Sequence, residues 1–381
     1  MSIRKAALVC RAQIAALSAV GVFWGSFAAM VPSLKAGIGA GDGPMGAALM
    51  MSAVGAMISI FAAPAFVRPA GRWLLPAGGI ALALAAAGPS LAGSVLWFGA
   101  AMFGIGLTMS FYDMCTNMRI AVLERRHGLH LQNLNHAMFS LSFGVSAFVT
   151  TLARSAGATP VDVLPWLVAA IAILAALSDE GRGWAPGPDM PQGGGERMPW
   201  MVVAIVSAIL FAAFLSENAN EGWSALHIER TLGAPAGHGG FGPAMLGLTM
   251  AVGRLSGQVA TARIGDLRLI FWAGVASVAG LVILALAPAP AVGIAGVALF
   301  GFGISVIVPT GNAVLARLVP RGLEGLAISR AWVVGFAGFF VGPAAIGAIS
   351  EAAGLRTAFL CVAGLVAAIP VLAVVLRRRG G

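Results

Sequence analysis

Long apolar runs, each about 18 residues or more, alternate with short polar connections along almost the whole chain. The runs carry too few charges for water-facing helices, so they read as membrane spans. Six lie near residues 12–34, 45–67, 73–92, 95–118, 131–153 and 162–178. A polar, Gly/Pro-rich stretch from Asp179 to Met198 follows, and six more runs lie near 199–224, 243–263, 269–287, 291–316, 323–350 and 356–376. Glycines and prolines inside a run do not end it, because neighbouring helices re-satisfy the freed backbone groups. The two sets are related: Ala101-Met102-Phe103-Gly104-Ile105-Gly106-Leu107 recurs as Ala298-Leu299-Phe300-Gly301-Phe302-Gly303-Ile304, 197 residues later. The expected fold is an all-α membrane protein of twelve transmembrane helices in two pseudo-symmetric six-helix bundles, 1–178 and 199–381, joined by a cytoplasmic loop over 179–198.

Composition agrees. With 59% hydrophobic and 10% charged residues and a mean hydropathy of +0.93, the chain has too little polar surface to be soluble as a globule. Its net charge of +9 would suggest nucleic acid in a soluble protein, but here the basic residues sit singly or in small groups between spans and mark topology instead. Arg4, Lys5, Arg11, Arg68, Arg72, Arg119, Arg125, Arg126, Arg182, Arg197, Arg263, Arg268, Arg317, Arg321 and Arg377 to Arg379 fall on one side, whereas the other receives Lys35, Arg154, Arg230 and Arg356. Both termini are therefore expected in the cytoplasm and the spans in the cell (inner) membrane. The first run is long enough to cross, and reads as a span and not a removed signal. Cys10, Cys115 and Cys361 lack paired spacing, which gives no reason to expect a disulfide framework or zinc site. Gly21 and Gly25, like Gly335 and Gly338, share a helix face and would let backbones approach closely.

Chemistry must lie among polar residues inside the spans, where an ionisable group costs about 2.5–3.5 kcal/mol and needs a partner or water. Asp113 and Asn117 share a face near the cytoplasmic end of span four; Asp113 is either a proton-titrating or gate-forming carboxylate or a structural partner of Arg119 or Arg72. His136, with Asn133 and Ser140, starts about 8 Å into span five and is either titratable or a neutral hydrogen-bonding side chain. Span seven carries Ser216, Glu217, Asn218, Asn220 and Glu221 before Trp223. Glu217 and Glu221 are one turn apart, so the pair favours holding a proton, as a coupling site requires, unless Glu221 already faces outside water. Arg254, halfway along span eight, needs an acid such as Glu217 or a helix C-terminus; Arg330 lies closer to the cytoplasmic end, and either arginine is an internal ion-pair member or a seat for a substrate carboxylate. Asn312 and Thr310, with Pro309 loosening span ten, and Trp24 in span one complete the cavity candidates.

Several short stretches have a further meaning in order: Asp113-Met114-Cys115-Thr116-Asn117 with Glu124-Arg125-Arg126; His136-Ala137-Met138-Phe139-Ser140; Glu217 with Trp223-Ser224-Ala225; Gly253-Arg254-Leu255; and Gly335-Phe336-Ala337-Gly338-Phe339 with Gly342-Pro343. Together with the twelve spans they resemble the major facilitator superfamily, and within it the MosC-like branch named for a rhizopine-associated membrane protein. The resemblance implies two bundles rocking about a central cavity. The superfamily's loop between spans two and three usually contains an acid, whereas Phe66-Val67-Arg68-Pro69-Ala70-Gly71-Arg72 has none.

These readings converge on a secondary active or facilitative transporter of a small polar solute, such as a sugar, cyclitol or amino derivative, with protons as coupling ion. Trp24, Asn117, His136, Glu217, Asn220, Asn312 and Arg330 are its solute-binding candidates; Glu217, Asp113 and His136 its proton carriers; Arg72, Glu124, Arg125 and Arg254 its gate. Alternatives are an exporter of amphipathic drug-like compounds and a non-transporting membrane receptor or scaffold. Lipid, solute and protons are the expected partners, without nucleic acid, cofactor or metal, in a chain able to act as a monomer. No Ser/His/Asp order, phosphate loop or metal motif supports an enzyme, and without an ATP-hydrolysing motif the energy source is a gradient.

Overall fold

The computed structural model describes residues 3–129, 131–181, 198–320 and 322–379. Most of the expected linker, 182–197 with Arg182 and Arg197, lies outside the described residues, as do Arg321 and the side chain of Arg68. After a short helix, Ile3–Val9, the first half runs through α1 (Arg11–Gly37), α2 (Asp42–Ala70), α3 (Leu74–Ala85), α4 (Val95–His127), α5 (Gln132–Ser155) and α6 (Pro160–Leu177). The second half comprises α7 (Trp200–Leu226), α8 (Phe241–Ile264), α9 (Asp266–Leu286), α10 (Pro290–Ile304, resuming as Ile307–Leu318), α11 (324–353) and α12 (355–379). By length and composition, ten apolar segments among the described residues can cross a bilayer. Dividing the 55-residue segment Glu324–Arg378 at Gly354, and adding α8 with its intramembrane Arg254, gives the twelve expected passes.

Local chemistry sets the boundaries. Ser94 caps α4 by accepting the Trp97 N–H at 3.3 Å, and Thr159 with Asp162 forms a reciprocal capping box ahead of Pro160 at the start of α6. α4 continues nine residues past the expected span, to His127, because only Gly128, at φ 62°, ends it; membrane thickness limits apolarity but not helix length. α7 likewise extends through a π-turn, His227–Thr231. Expected span ten is broken at Ser305–Val306, four and three residues before Pro309, which has no N–H for the Ser305 carbonyl. Gly354, at φ 82°, turns the chain from α11 into α12.

The halves pack alike. Gly21 and Gly25 on α1 lie against the backbone of α5, where a Cβ on Gly25 would stand 2.8 Å from the Phe143 carbonyl carbon. In the second half a Cβ on Gly338 of α11 would meet the Phe211 carbonyl oxygen of α7 at 2.6 Å. Both sequence-selected glycine pairs thus sit at close helix seams. The repeated heptads are used differently: a Cβ on Gly106 would collide with the Ser52 carbonyl of α2, whereas it is on Gly301, and not on Gly303, which aligns with Gly106, that a Cβ would stand 2.9 Å from the Leu246 carbonyl of α8. Side chains such as Leu96, Phe61, Leu84 and Trp97 are largely exposed on the outside, as a lipid-facing surface requires. Among the described residues the main seams between the halves are α1 on α7, α2 on α11 and α5 on α8.

Candidate functional site

The middle of the inter-half interface is built around Arg254. Glycine at 253 lets α8 press against the α10 break, where a Cβ would collide with Ser305 Oγ. From this close-packed position Arg254 reaches across to α5 of the other half, where Nη1 donates to the His136 carbonyl at 3.1 Å and to Ser140 Oγ. Its Nη2 lies 3.8 Å from Glu217 Oε1, near enough for charge attraction but too far for a hydrogen bond. Both side chains are buried or nearly so, which strengthens that attraction relative to water. The partner expected from sequence for Arg254, Glu217, is the one found. Its link to the opposite half through Ser140 and a helix carbonyl was not foreseen.

On the side of Arg254 nearer the termini, Asn117 of α4 and His136 of α5 meet through Gln132, which the sequence reading passed over. Gln132 Nε2 donates to Asn117 Oδ1 at 2.7 Å and lies 2.9 Å from His136 Nε2; the imidazole nitrogen is also 3.3 Å from Asn117 Oδ1. In the tautomer in which Nε2 accepts, one amide group serves both neighbours. Asn117 Nδ2 also donates to the Asp113 carbonyl at 2.9 Å. Glu124 accepts the N–H groups of Leu131 and Gln132 at 2.6 and 2.9 Å, so it caps α5, whose N-cap residue Leu131 has no polar side chain to do so. Arg125 is exposed, and Arg72 is exposed with its guanidinium 4.5 Å from the Trp73 ring centroid.

Beyond Glu217 lies a small cavity of about 20 Å³ between the halves, room for roughly one water. Trp24 and Phe27 of α1, Leu49 and Ser52 of α2, Met102 of α4, Asn218, Glu221 and Gly222 of α7, and Pro343 of α11 line it. Trp24 stands edge-on to Phe23 and Phe27, with ring centroids 5.3 and 5.5 Å away. Of the solute-binding candidates, Trp24 lines this cavity, and Glu217 lies one helical turn from it. Asn220 does not: it is fully buried on the face of α7 shared with Trp223 and His227, where His227 Nε2 lies 3.0 Å from the Leu284 carbonyl of α9. Its amide donates to the Ser216 carbonyl, while Asn220 Oδ1 and Trp223 Nε1 have no partner among the described residues. Asn312 accepts the indole N–H of Trp332 at 3.0 Å and ties α10 to α11. Arg330 is exposed, about 9 Å along α11.

At the end opposite the termini, two ion-pair clusters cross between the halves. Asp42, at the start of α2, pairs with Arg230 beyond α7 and with Lys35, and accepts from Ser350 of α11; Glu351 accepts the Gly43 N–H. Arg154 of α5 pairs with Glu229 at 2.8 Å, and Glu229 also accepts the N–H groups of Gly237 and Gly239. Glu229 and Arg230 are neighbours on the π-turn that ends α7. One turn thus latches the second half to two helices of the first. At the terminal end, Glu180 holds Arg119 and Gln13 within the first half. The polar contacts between halves described above run from Arg254 to the latched end.

A family model described as Major Facilitator Superfamily matches residues 206–380. An MFS-type transporter of Yersinia pestis is 26% identical over 351 residues, covering 90% of this chain and 89% of the relative. The membrane protein MosC of Rhizobium meliloti is 33% identical over 152 residues, 39% of this chain and 37% of that one. The second half of the chain is thus similar to the major facilitator superfamily. Superfamily transporters also share its fold: a bacterial homolog of the human lysosomal transporter Spinster superposes with a TM-score of 0.74, 12% identity and coverage of 99% and 98% of the two chains. The nucleoside transporter NupG gives 0.71 at 13% identity, with coverage of 97% and 98%. By its apolar helices and this shared fold the chain is a membrane protein.

Proposed function

We propose that this membrane protein is a transporter that moves its solute by alternating access, that protons drive it, and that residues 1–178 and 199–381 are the moving bodies, with 179–198 as cytoplasmic linker and both termini in the cytoplasm. The observation that carries the reading is Arg254. One guanidinium pairs with an acid of its own half and hydrogen-bonds the opposite half, so a change of charge on Glu217 alters the grip between the two. A proton arriving at Glu217 weakens its hold on Arg254 and leaves the arginine to its α5 partners alone. In this conformation the latched end is closed.

The cavity lining bears on the cargo. Neither Asn220 nor Asn312 reaches it, whereas Trp24, Phe27, Leu49 and Met102 do, beside Asn218 and Glu221. That mixture suits an amphipathic solute better than a sugar or cyclitol, whose many hydroxyls need many polar partners. The test is flux in proteoliposomes over a panel of polyols, amino derivatives and amphipathic compounds, with and without a pH gradient. Gradient-dependent flux of any member supports the proposal. Flux indifferent to pH retires proton coupling, and no flux for any compound favours a receptor or scaffold.

A further inference from the structure

The charges at mid-depth do not balance. Glu217 and Glu221 stand one turn apart on α7, and Arg254 is the one cation paired with either among the described residues. Arg254 is committed to Glu217, Ser140 and the His136 carbonyl. Glu221, at the cavity wall, has no ion-pair or hydrogen-bond partner among the described residues. The elements packed around it present Trp24 and Phe27 from α1, Leu49 and Ser52 from α2, Met102 from α4, Asn218 from α7 and Pro343 from α11. None of these is titratable, so Glu217 and Arg254 are the charged groups that bear on it.

A carboxylate in such surroundings needs one positive charge, because an unpaired ion away from water is costly. Two chemistries supply it: a proton, or a cation small enough to enter. The rings of Trp24 and Phe27 beside the acid select among cations, since an ammonium gains from an aromatic face as well as from a carboxylate, and an apolar body on that ammonium packs against Met102 and Leu49. A carboxylate holding a proton has no charge left for the ammonium. Resting on the transport reading above, we infer that Glu221 is the seat at which an organic ammonium and a proton compete, and that the carrier exchanges one for the other. The cavity is pinched in this conformation, so the cation enters when the halves part.

The probe is benzyltrimethylammonium, whose charge is independent of pH, titrated by calorimetry into the purified transporter between pH 5 and 9 in two buffers of different ionisation heat. Expected is a Kd that rises as pH falls, approaching tenfold per pH unit on the acid limb, with about one proton released per cation bound there. Glu221→Gln weakens binding at least tenfold and flattens the pH dependence; Glu221→Asp, which keeps the charge, retains the pH slope at reduced affinity. Melting temperatures show whether both variants remain folded. Wild-type affinity and slope in Glu221→Gln, or binding without proton release, overturns the inference. Sorbitol flux in proteoliposomes with no cation binding at any pH retires this site and leaves transport standing. Cation binding with proton release but no flux of either compound supports Glu221 as the shared seat and overturns both the exchange and the transport reading.

Discussion

Arg254 and Glu217 were legible as residues, since a lone guanidinium halfway along an apolar run has to find an acid or a carbonyl. Their energetic coupling is testable by a double-mutant cycle. Arg254→Gln leaves a buried carboxylate without its countercharge, a loss of about 3–5 kcal/mol when the charge stays in place. Glu217→Gln in the same chain removes that charge, so the double variant melts higher than Arg254→Gln alone. Equal melting temperatures would show the pair to be energetically idle. On function, Glu217→Gln preserves solute exchange and abolishes pH-driven accumulation; unchanged accumulation removes Glu217 from the coupling step. Gln132 shows the opposite case. Nothing in its position at the start of α5 marked it, because its role depends on α4 bringing Asn117 within 2.7 Å.

Between helices, the decisive residues are glycines. Gly144 on α5 and Gly247 on α8 face each other across the halves: a Cβ on Gly247 would lie 2.7 Å from the Gly144 Cα, and one on Gly144 would lie 2.7 Å from the Leu248 nitrogen. The seam between α2 and α11 has the same design, with Gly46 and Gly347 at 3.0 Å by that measure. Gly247→Ala therefore prises apart a moving seam, whereas Gly25→Ala prises apart a seam inside one half. The expected outcomes differ. Gly25→Ala costs about 1–3 kcal/mol through overpacking and lowers the melting temperature. Gly247→Ala destabilises the latched conformation more than the fold, so it raises labelling of a cysteine placed at Ser33 while melting changes less. A normal labelling rate with a large melting loss would make both seams purely structural. The sequence showed the first kind of glycine through its spacing; the second pairs Gly144 with Gly247 and Gly46 with Gly347, far apart in the chain, and leaves no local pattern.

For the whole molecule, the two latches set which end is closed. Asp42→Asn combined with Arg154→Gln removes the charges that Arg230 and Glu229 grip, and leaves the seam glycines in place. Spin labels at Ala156 and Ala353, exposed at the latched end in opposite halves, should then report a larger population of long distances. An unchanged distance distribution would mean that apolar packing alone holds that end shut. The basic residues separate between the two ends as their alternation along the chain implied: Lys35, Arg154, Arg230 and Arg356 lie at the latched end. Three of these four serve ion pairs, a second role that counting charges did not reveal.

The chain by itself determined the helices, their number and the end at which each loop emerges, because hydrocarbon demands an uninterrupted apolar run with every backbone group satisfied inside it, a requirement met residue by residue. Tertiary structure alone decided which face each helix turns inward. Asn220 and Glu221 are adjacent in sequence, yet one is sealed inside the second half and the other borders the cavity. In an apolar helix lipid and core reward the same side chains, so rotation about the axis is fixed only when neighbouring helices dock, through close glycine contacts and a few buried charges.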